Sequence, residues 1–250
     1  MGGIADDDFF WQIHQDLPRE GPGDNASTRR AFSSLTLPTA PDVLDIACGP
    51  GMQTGELARI CDGRIVALDT HRPFLDELRR RAAAAGVDDR VVTVQASMAA
   101  IPFADRSFDL IWCEGAIYIL GLASGLQQWR RLLRLGGHVA VTHLCWLTAD
   151  VPAGARAFWG DPGFEMTTVE ANLATIRRAG YGVVDHFVLP PSAWWDGYYA
   201  PIEAKLPALR ARLGDDRAAR RRIDEAQAEI EAYRRYGNSY GYVFFVMRPS

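Results

Sequence analysis

Read by the spacing of its apolar positions, the chain alternates short buried runs with amphipathic stretches. Apolar runs near 42–48, 64–69, 91–95, 108–113 and 137–143 predict strands. Helical patterns near 52–61, 73–86 and 124–134 separate them. A further helix is expected at 167–179, a sixth strand near 182–188 and a last one near 240–247. This alternation predicts a parallel sheet covered by helices on both faces. Residues 1–40 precede the first strand and include a loop rich in Gly and Pro, LPREGPGDNAST.

Residues 191–238 lie where a short turn would suffice. Pro190-Pro191 breaks the preceding strand, and an aromatic segment with Trp194, Trp195, Tyr198 and Tyr199 follows. A long amphipathic helix comes next, with Ala219, Ile223, Ala226, Ile230 and Tyr233 on one stripe. Two readings stand side by side. The segment either extends the core or forms a lid over a ligand, because inserts beside strand ends sit where such sheets bind ligands.

The densest chemistry lies in VLDIACGPGMQT, Val43 to Thr54. It reads as a buried strand, a turn carrying Gly49 and Gly51, and a helix. The next strand ends in Asp69, 24 residues after Asp45. Strand, glycine turn, helix, strand and acid together grip a nucleotide-like cofactor. For a dinucleotide, the third glycine position holds Thr54, and Asp45 would disfavour a pyrophosphate. No Gly-Lys-Ser/Thr follows the glycines, and the single lysine is Lys205, so a P-loop is excluded. S-adenosylmethionine carries a sulfonium and an ammonium but no phosphate, so an acid beside the turn suits it.

With these motifs in view, the chain resembles the class I S-adenosylmethionine-dependent methyltransferases. VLDIACGPGMQT is similar to that family's first motif and VALDT to its acidic loop. VQASMAAIPFADRSFDLIWCEGAIYIL resembles the third and fourth motifs, LRLGGHVAVTH the strand-five motif, and YGYVFFVMR the final strand. Within the family, the resemblance is to small-molecule enzymes of the ubiquinone-biosynthesis kind. It implies an α/β, Rossmann-like, doubly wound, seven-stranded and mostly parallel sheet. The core would span 41–190 and 239–250, with a helical lid at 191–238 and residues 1–40 closing over the cofactor.

The resemblance also implies site residues. Asp45, Gly49, Gly51, Thr54, Asp69, Thr70, Ser97, Met98 and Glu114 would hold the cofactor. Asp69 would accept from the ribose hydroxyls, and His71 would edge the adenosine. Ala96-Ser97 stands where the family commonly has Gly-Asp, so an acceptor for the adenine amino group is lost. Glu114 and His143 are the candidate bases; Tyr118, Trp195 and Tyr199 would contact the acceptor. His14, Arg19 and Gly21-Pro22-Gly23 would close over the cofactor, whereas His138 and His186 read as structural. The motifs of nucleic-acid amino methylation, cytosine C5 methylation and metal-dependent catechol-type transfer are absent, so a metal-independent transfer to a small acceptor is expected.

Composition adds bounds. Hydrophobic content of 48% and charged content of 23% are those of a globular domain. A net charge of −4 offers no general attraction to nucleic acid. Cys48, Cys61, Cys113 and Cys145 form neither Cys-x-x-Cys nor a zinc spacing, and read as buried thiols. The acidic start, MGGIADDDFFWQ, lacks the pattern of a signal peptide, so the expectation is a cytoplasmic enzyme, not a membrane one. Two rivals stay open: an NAD(P)-dependent oxidoreductase and a cofactor-binding module without catalysis. The oligomeric state is not legible.

Overall fold

The computed structural model describes residues 6–160 and 165–250. The first residues of the acidic start, 1–5, lie outside them. Strands β1 (Val43–Ile46), β2 (Ile65–Asp69), β3 (Val91–Gln95), β4 (Phe108–Cys113) and β5 (Leu133–Trp146) run parallel in the order β3-β2-β1-β4-β5. Strand β1 lies between β2 and β4, with Val43 opposite both Ile65 and Leu110. All four of its residues are buried, as a strand covered on both faces requires. Chain order reverses at β1, so the loops after β1, β2 and β4 open on one edge. That switch point is where ligands bind in open sheets of this kind.

Two antiparallel pairings complete the sheet. Strand β8 (Tyr240–Pro249) lies against β5, and β7 (Tyr181–Val188) lies against β8. A two-residue strand, β6 (Thr167–Thr168), pairs with the end of β5. The sheet therefore has eight strands rather than the expected seven. Strand β5 also runs past its expected limits, because Val139 to Trp146 stay paired with Met247 to Tyr240.

Helices α3 (Met52–Ile60), α4 (Arg72–Ala85), α5 (Leu122–Trp129) and α7 (Val169–Arg178) join the strands. The pattern at 124–134 ends early as α5, and a 3₁₀ turn at Arg130–Leu132 finishes it. Two helices precede the sheet, α1 (Asp6–His14) and α2 (Asn25–Ser33). Asp24 caps α2 by accepting from the Ser27 N–H at 2.7 Å. The segment between them is called the strap below. Short α6 (Ala153–Phe158) follows β5.

The insert before β8 folds as α8 (Pro191–Trp194), a widened π turn (Trp195–Tyr199), α9 (Ala200–Leu213) and α10 (Arg217–Tyr236). Its expected stripe is observed: Ala219, Ile223, Ile230 and Tyr233 are buried, and Ala226 packs beside them. The stripe meets Trp194, Tyr198 and Tyr199, and this cluster continues into Leu144, Trp146 and Tyr240 at the end of the sheet. Trp194 stacks on Tyr233 with ring centroids 4.4 Å apart. The insert thus shares a hydrophobic core with β5 and β8. Among the described residues, no helix is long and apolar enough to cross a membrane.

Candidate active site

A cavity of about 350 Å³ opens at the switch point. Its floor is the β1–α3 turn, where Ala47 and Gly49 adopt φ of +56° and +53°. A Cβ on Gly49 would stand 3.3 Å from Glu20 Cγ, so the missing side chain lets the strap lie close over the turn.

Asp69 is the best-positioned acid in the cavity. Its carboxylate accepts from the Gly49 N–H and the His71 N–H, each at 2.9 Å. Two backbone donors fix the carboxylate against both walls and leave lone pairs toward the cavity. Thr70, Ser97 and Met98 also line the cavity. Ser97 Oγ accepts from the Ala99 N–H at 3.2 Å.

Glu114 is also at the cavity, but its geometry is that of a brace. One oxygen accepts from Arg19 Nη1 at 2.8 Å. The other accepts from Thr28 Oγ1 and Trp112 Nε1, both at 2.9 Å. The Arg19–Glu114 pair is only 6% exposed on each side chain. Donors occupy three of its roughly four acceptor sites, so the geometry assigns Glu114 a bracing role beside the reading of it as a base. Its partners join the strap and α2 to β4. A Cβ on Gly23 would stand 3.0 Å from both Arg19 Nη1 and Glu114 Oε2, so glycine is required for this approach.

Other expected positions fall outside the cavity. Asp45 is completely buried, with Oδ2 accepting from Thr54 Oγ1 at 2.6 Å. The two residues lock β1 to α3 and do not line the cavity. Burial, aided by the nearby Glu114 charge, raises the Asp45 pKa to about 7. The unfolded value is near 3.8. Asp45 thus binds its proton more tightly in the folded state. Its contribution to stability is full below about pH 4 and is lost as pH rises through about 7. Asp45→Asn should flatten this decline, as read by urea unfolding at about pH 5 and about pH 8. A wild-type pH slope in that variant would contradict the assignment.

Gly51 serves packing rather than ligand contact. Its φ is +88°, and a Cβ would stand 2.1 Å from Leu78 Cδ1 on α4. Gly51→Ala is expected to cost roughly 2 kcal/mol or more, from left-handed strain and overpacking together. Thermal unfolding checks this; an unchanged midpoint would show that α4 yields freely.

His143 lies buried in β5 and does not line the cavity. Burial lowers its pKa to about 4, so the ring is neutral near pH 7. That position removes it as a base at the cavity. Trp195 and Tyr199 belong to the insert's aromatic cluster instead of the cavity wall. Tyr199 is buried and its hydroxyl donates to Glu229 Oε1 at 2.9 Å. Tyr118 does line the cavity, on a 3₁₀ turn, and is 45% exposed at its mouth.

The strap supplies what the sequence patterns missed. Arg19, Glu20, Gly21 and Pro22 line the cavity, whereas Gly23 and His14 do not. Glu20 lies between Arg19 and the Gly-Pro-Gly loop, and its only signal in the sequence is that adjacency. Trp11 also lines the cavity and stacks on His71, with centroids 3.8 Å apart, while Phe74 meets both rings edge-on. Nothing in the spacing of α1 pairs Trp11 with α4. Among the described residues, no group of three His, Cys, Asp or Glu is placed to hold a metal ion.

Comparison with known proteins agrees with this geometry. The family described as "Methyltransferase domain" matches residues 43–137. The methyltransferase GfsG of Streptomyces halstedii is 30% identical over 136 residues, covering 54% of this chain and 49% of that protein. The 27-O-demethylrifamycin SV methyltransferase of Amycolatopsis mediterranei is 30% identical over 158 residues, covering 63% and 52%. The chain thus spans about half the length of these curated relatives. A crystal structure of a SAM-dependent methyltransferase from Geobacter sulfurreducens, in complex with S-adenosyl-L-homocysteine, superposes with a TM-score of 0.84 at 21% identity. That alignment covers 97% of this chain and 98% of the other. With its glycine turn, acidic second strand and sheet order, the segment 43–137 is a methyltransferase domain of the class I, S-adenosylmethionine-dependent kind.

Proposed function

We propose that the protein transfers a methyl group from S-adenosylmethionine to a small-molecule acceptor. One observation carries the reading: the cavity presents a fixed carboxylate, Asp69, and a buried guanidinium, Arg19, in a single space. The carboxylate fits a ribose diol. Arg19 is the one cation among the described residues lining the cavity, and it fits an amino-acid carboxylate. Thr70, Ser97 and Met98 would flank the adenine, and Gly49 would let the ligand approach the turn.

When bound, the cofactor supplies an electrophilic methyl on a sulfonium. The chain's task is alignment and exclusion of water. The strap, braced by Arg19–Glu114, covers the cavity, and Gly115 and Ala116 form the wall after β4. Acceptors enter past Tyr118 and Ile119, which are exposed at the mouth.

A dinucleotide fits less well. Glu20, Asp69 and Glu114 line the cavity against one guanidinium, a field that repels a pyrophosphate. Calorimetry with S-adenosylmethionine and with NAD tests the cofactor. Transfer of a labelled methyl group to a defined panel of small alcohols, phenols and amines tests the reaction. Preferential NAD binding would overturn the proposal. Cofactor binding with no transfer to any acceptor would favour a binding module.

A further inference from the structure

The carboxylates lining the cavity differ in one respect. Asp69 accepts from two backbone donors, and Glu114 is held by three side chains. Glu20 is half satisfied. His14 Nδ1 donates to its Oε2 at 2.8 Å, but the buried Oε1 has no hydrogen-bond partner. An acceptor atom left so, inside a cavity, takes its donor from solvent or from a ligand that displaces it. Glu20 stands over the glycine turn, beside Gly49, inside the cavity that the methyl-transfer reading assigns to the cofactor.

Behind Glu20 lies a second chamber of about 160 Å³ between α1, α9 and α10. His14 lines this chamber and Glu20 lines the first, so the hydrogen-bonded pair stands in the wall between them. Tyr198 and Glu229 face His14 across the second chamber.

Resting on the methyl-transfer reading above, we infer that Glu20 is the catalytic base, that His14 positions it, and that the acceptor presents an N–H or O–H group. The acceptor heteroatom attacks the methyl carbon of S-adenosylmethionine. The new bond is heteroatom to carbon. The carbon–sulfur bond breaks, and its electron pair returns to sulfur as the neutral thioether. The proton leaving the heteroatom goes to Glu20 Oε1. A carbon nucleophile without such a hydrogen offers Oε1 no proton to accept.

Electrostatics agree. Burial raises the Glu20 pKa, and the Asp69 charge adds to this, while the His14 bond and charge and the Lys205 charge pull it down. Glu229 from α10 faces His14, its own pKa also raised by burial. A carboxyl with a raised pKa is a better proton acceptor near neutrality than an exposed one.

Glu20→Gln keeps the shape and the His14 contact. Calorimetry should show S-adenosylmethionine affinity within about threefold of wild type. Turnover on the panel of alcohols, phenols and amines should fall by about 10²–10⁴ at saturating cofactor, with the acid limb of the pH profile lost. In His14→Gln the acid limb should move to higher pH, because a group that lowers the Glu20 pKa is gone. Affinity lost with undiminished turnover would make Glu20 a cofactor ligand and overturn the inference. A carbon-13 titration of labelled glutamate in the wild-type protein, with and without S-adenosylhomocysteine, needs no acceptor. Glu20 titrating at or below about 4.3 would overturn the assignment. If wild type binds no S-adenosylmethionine, the methyl-transfer reading has failed, and that titration still decides the state of Glu20.

Discussion

Asp69→Ala should weaken S-adenosylmethionine binding a hundredfold or more in calorimetry, with the far-UV spectrum unchanged. Two charge-assisted hydrogen bonds to the ribose are lost, each worth about 1.5–3 kcal/mol. The structure adds a second cost. Without the carboxylate, the Gly49 and His71 N–H groups lose the acceptor that ties the β1–α3 turn to the end of β2. Asp69→Asn separates the two effects. Its amide oxygen still accepts from one backbone donor, but the negative charge is gone. An intermediate loss of affinity is expected there. Unchanged affinity in Asp69→Ala would remove the cofactor assignment altogether.

Breaking the Arg19–Glu114 pair should cost about 3–5 kcal/mol in urea unfolding, because the surviving partner is left charged and buried. Arg19→Ala leaves Glu114 with Thr28 and Trp112 as donors, so its loss should be the smaller one. Glu114→Ala strands Arg19, which keeps its hydrogen bond to Asn25 Oδ1 at 3.1 Å, and releases three donors at once. Both variants should also bind S-adenosylmethionine less well, since the strap carries the cavity's cation. The double variant Arg19→Met/Glu114→Gln should recover part of the stability but not the affinity. A cost below about 1 kcal/mol in both single variants would mean that the strap is held by other contacts, such as the Gly23 N–H to the Ala193 carbonyl.

The insert is read differently once its packing is visible. From the sequence, a lid that could be cut away and an extension of the core were both open. Trp194, Tyr198, Tyr199, Ile223 and Tyr233 pack with Leu144, Trp146 and Tyr240 of the sheet in one cluster. Replacing 193–236 with a linker would expose that end of β5 and β8. The insert still supplies the second chamber through Tyr198 and Glu229, so it serves packing and the site together.

The sequence by itself determined the sheet, the glycine turn and the acid at the end of β2. These depend on local rules. Strands buried on both faces read as apolar runs, helices show their stripe, and positive φ calls for glycine. Asp69, Thr70, Ser97 and Met98 could be placed because each lies at the end of a strand or within three residues after it. Tertiary structure decided the rest. Asp45 and Thr54 sit beside the turn in sequence, yet they face each other inside the fold. Glu114 directly follows β4, but its pairing with Arg19, 95 residues away, and with Thr28 was not legible. Glu20 and His14 belong to a Gly- and Pro-rich loop and a short helix without periodic signal, and their placement depends on how the strap crosses β1. Long-range pairing of polar side chains leaves no periodicity in a sequence. It follows from which surfaces the hydrophobic core brings together.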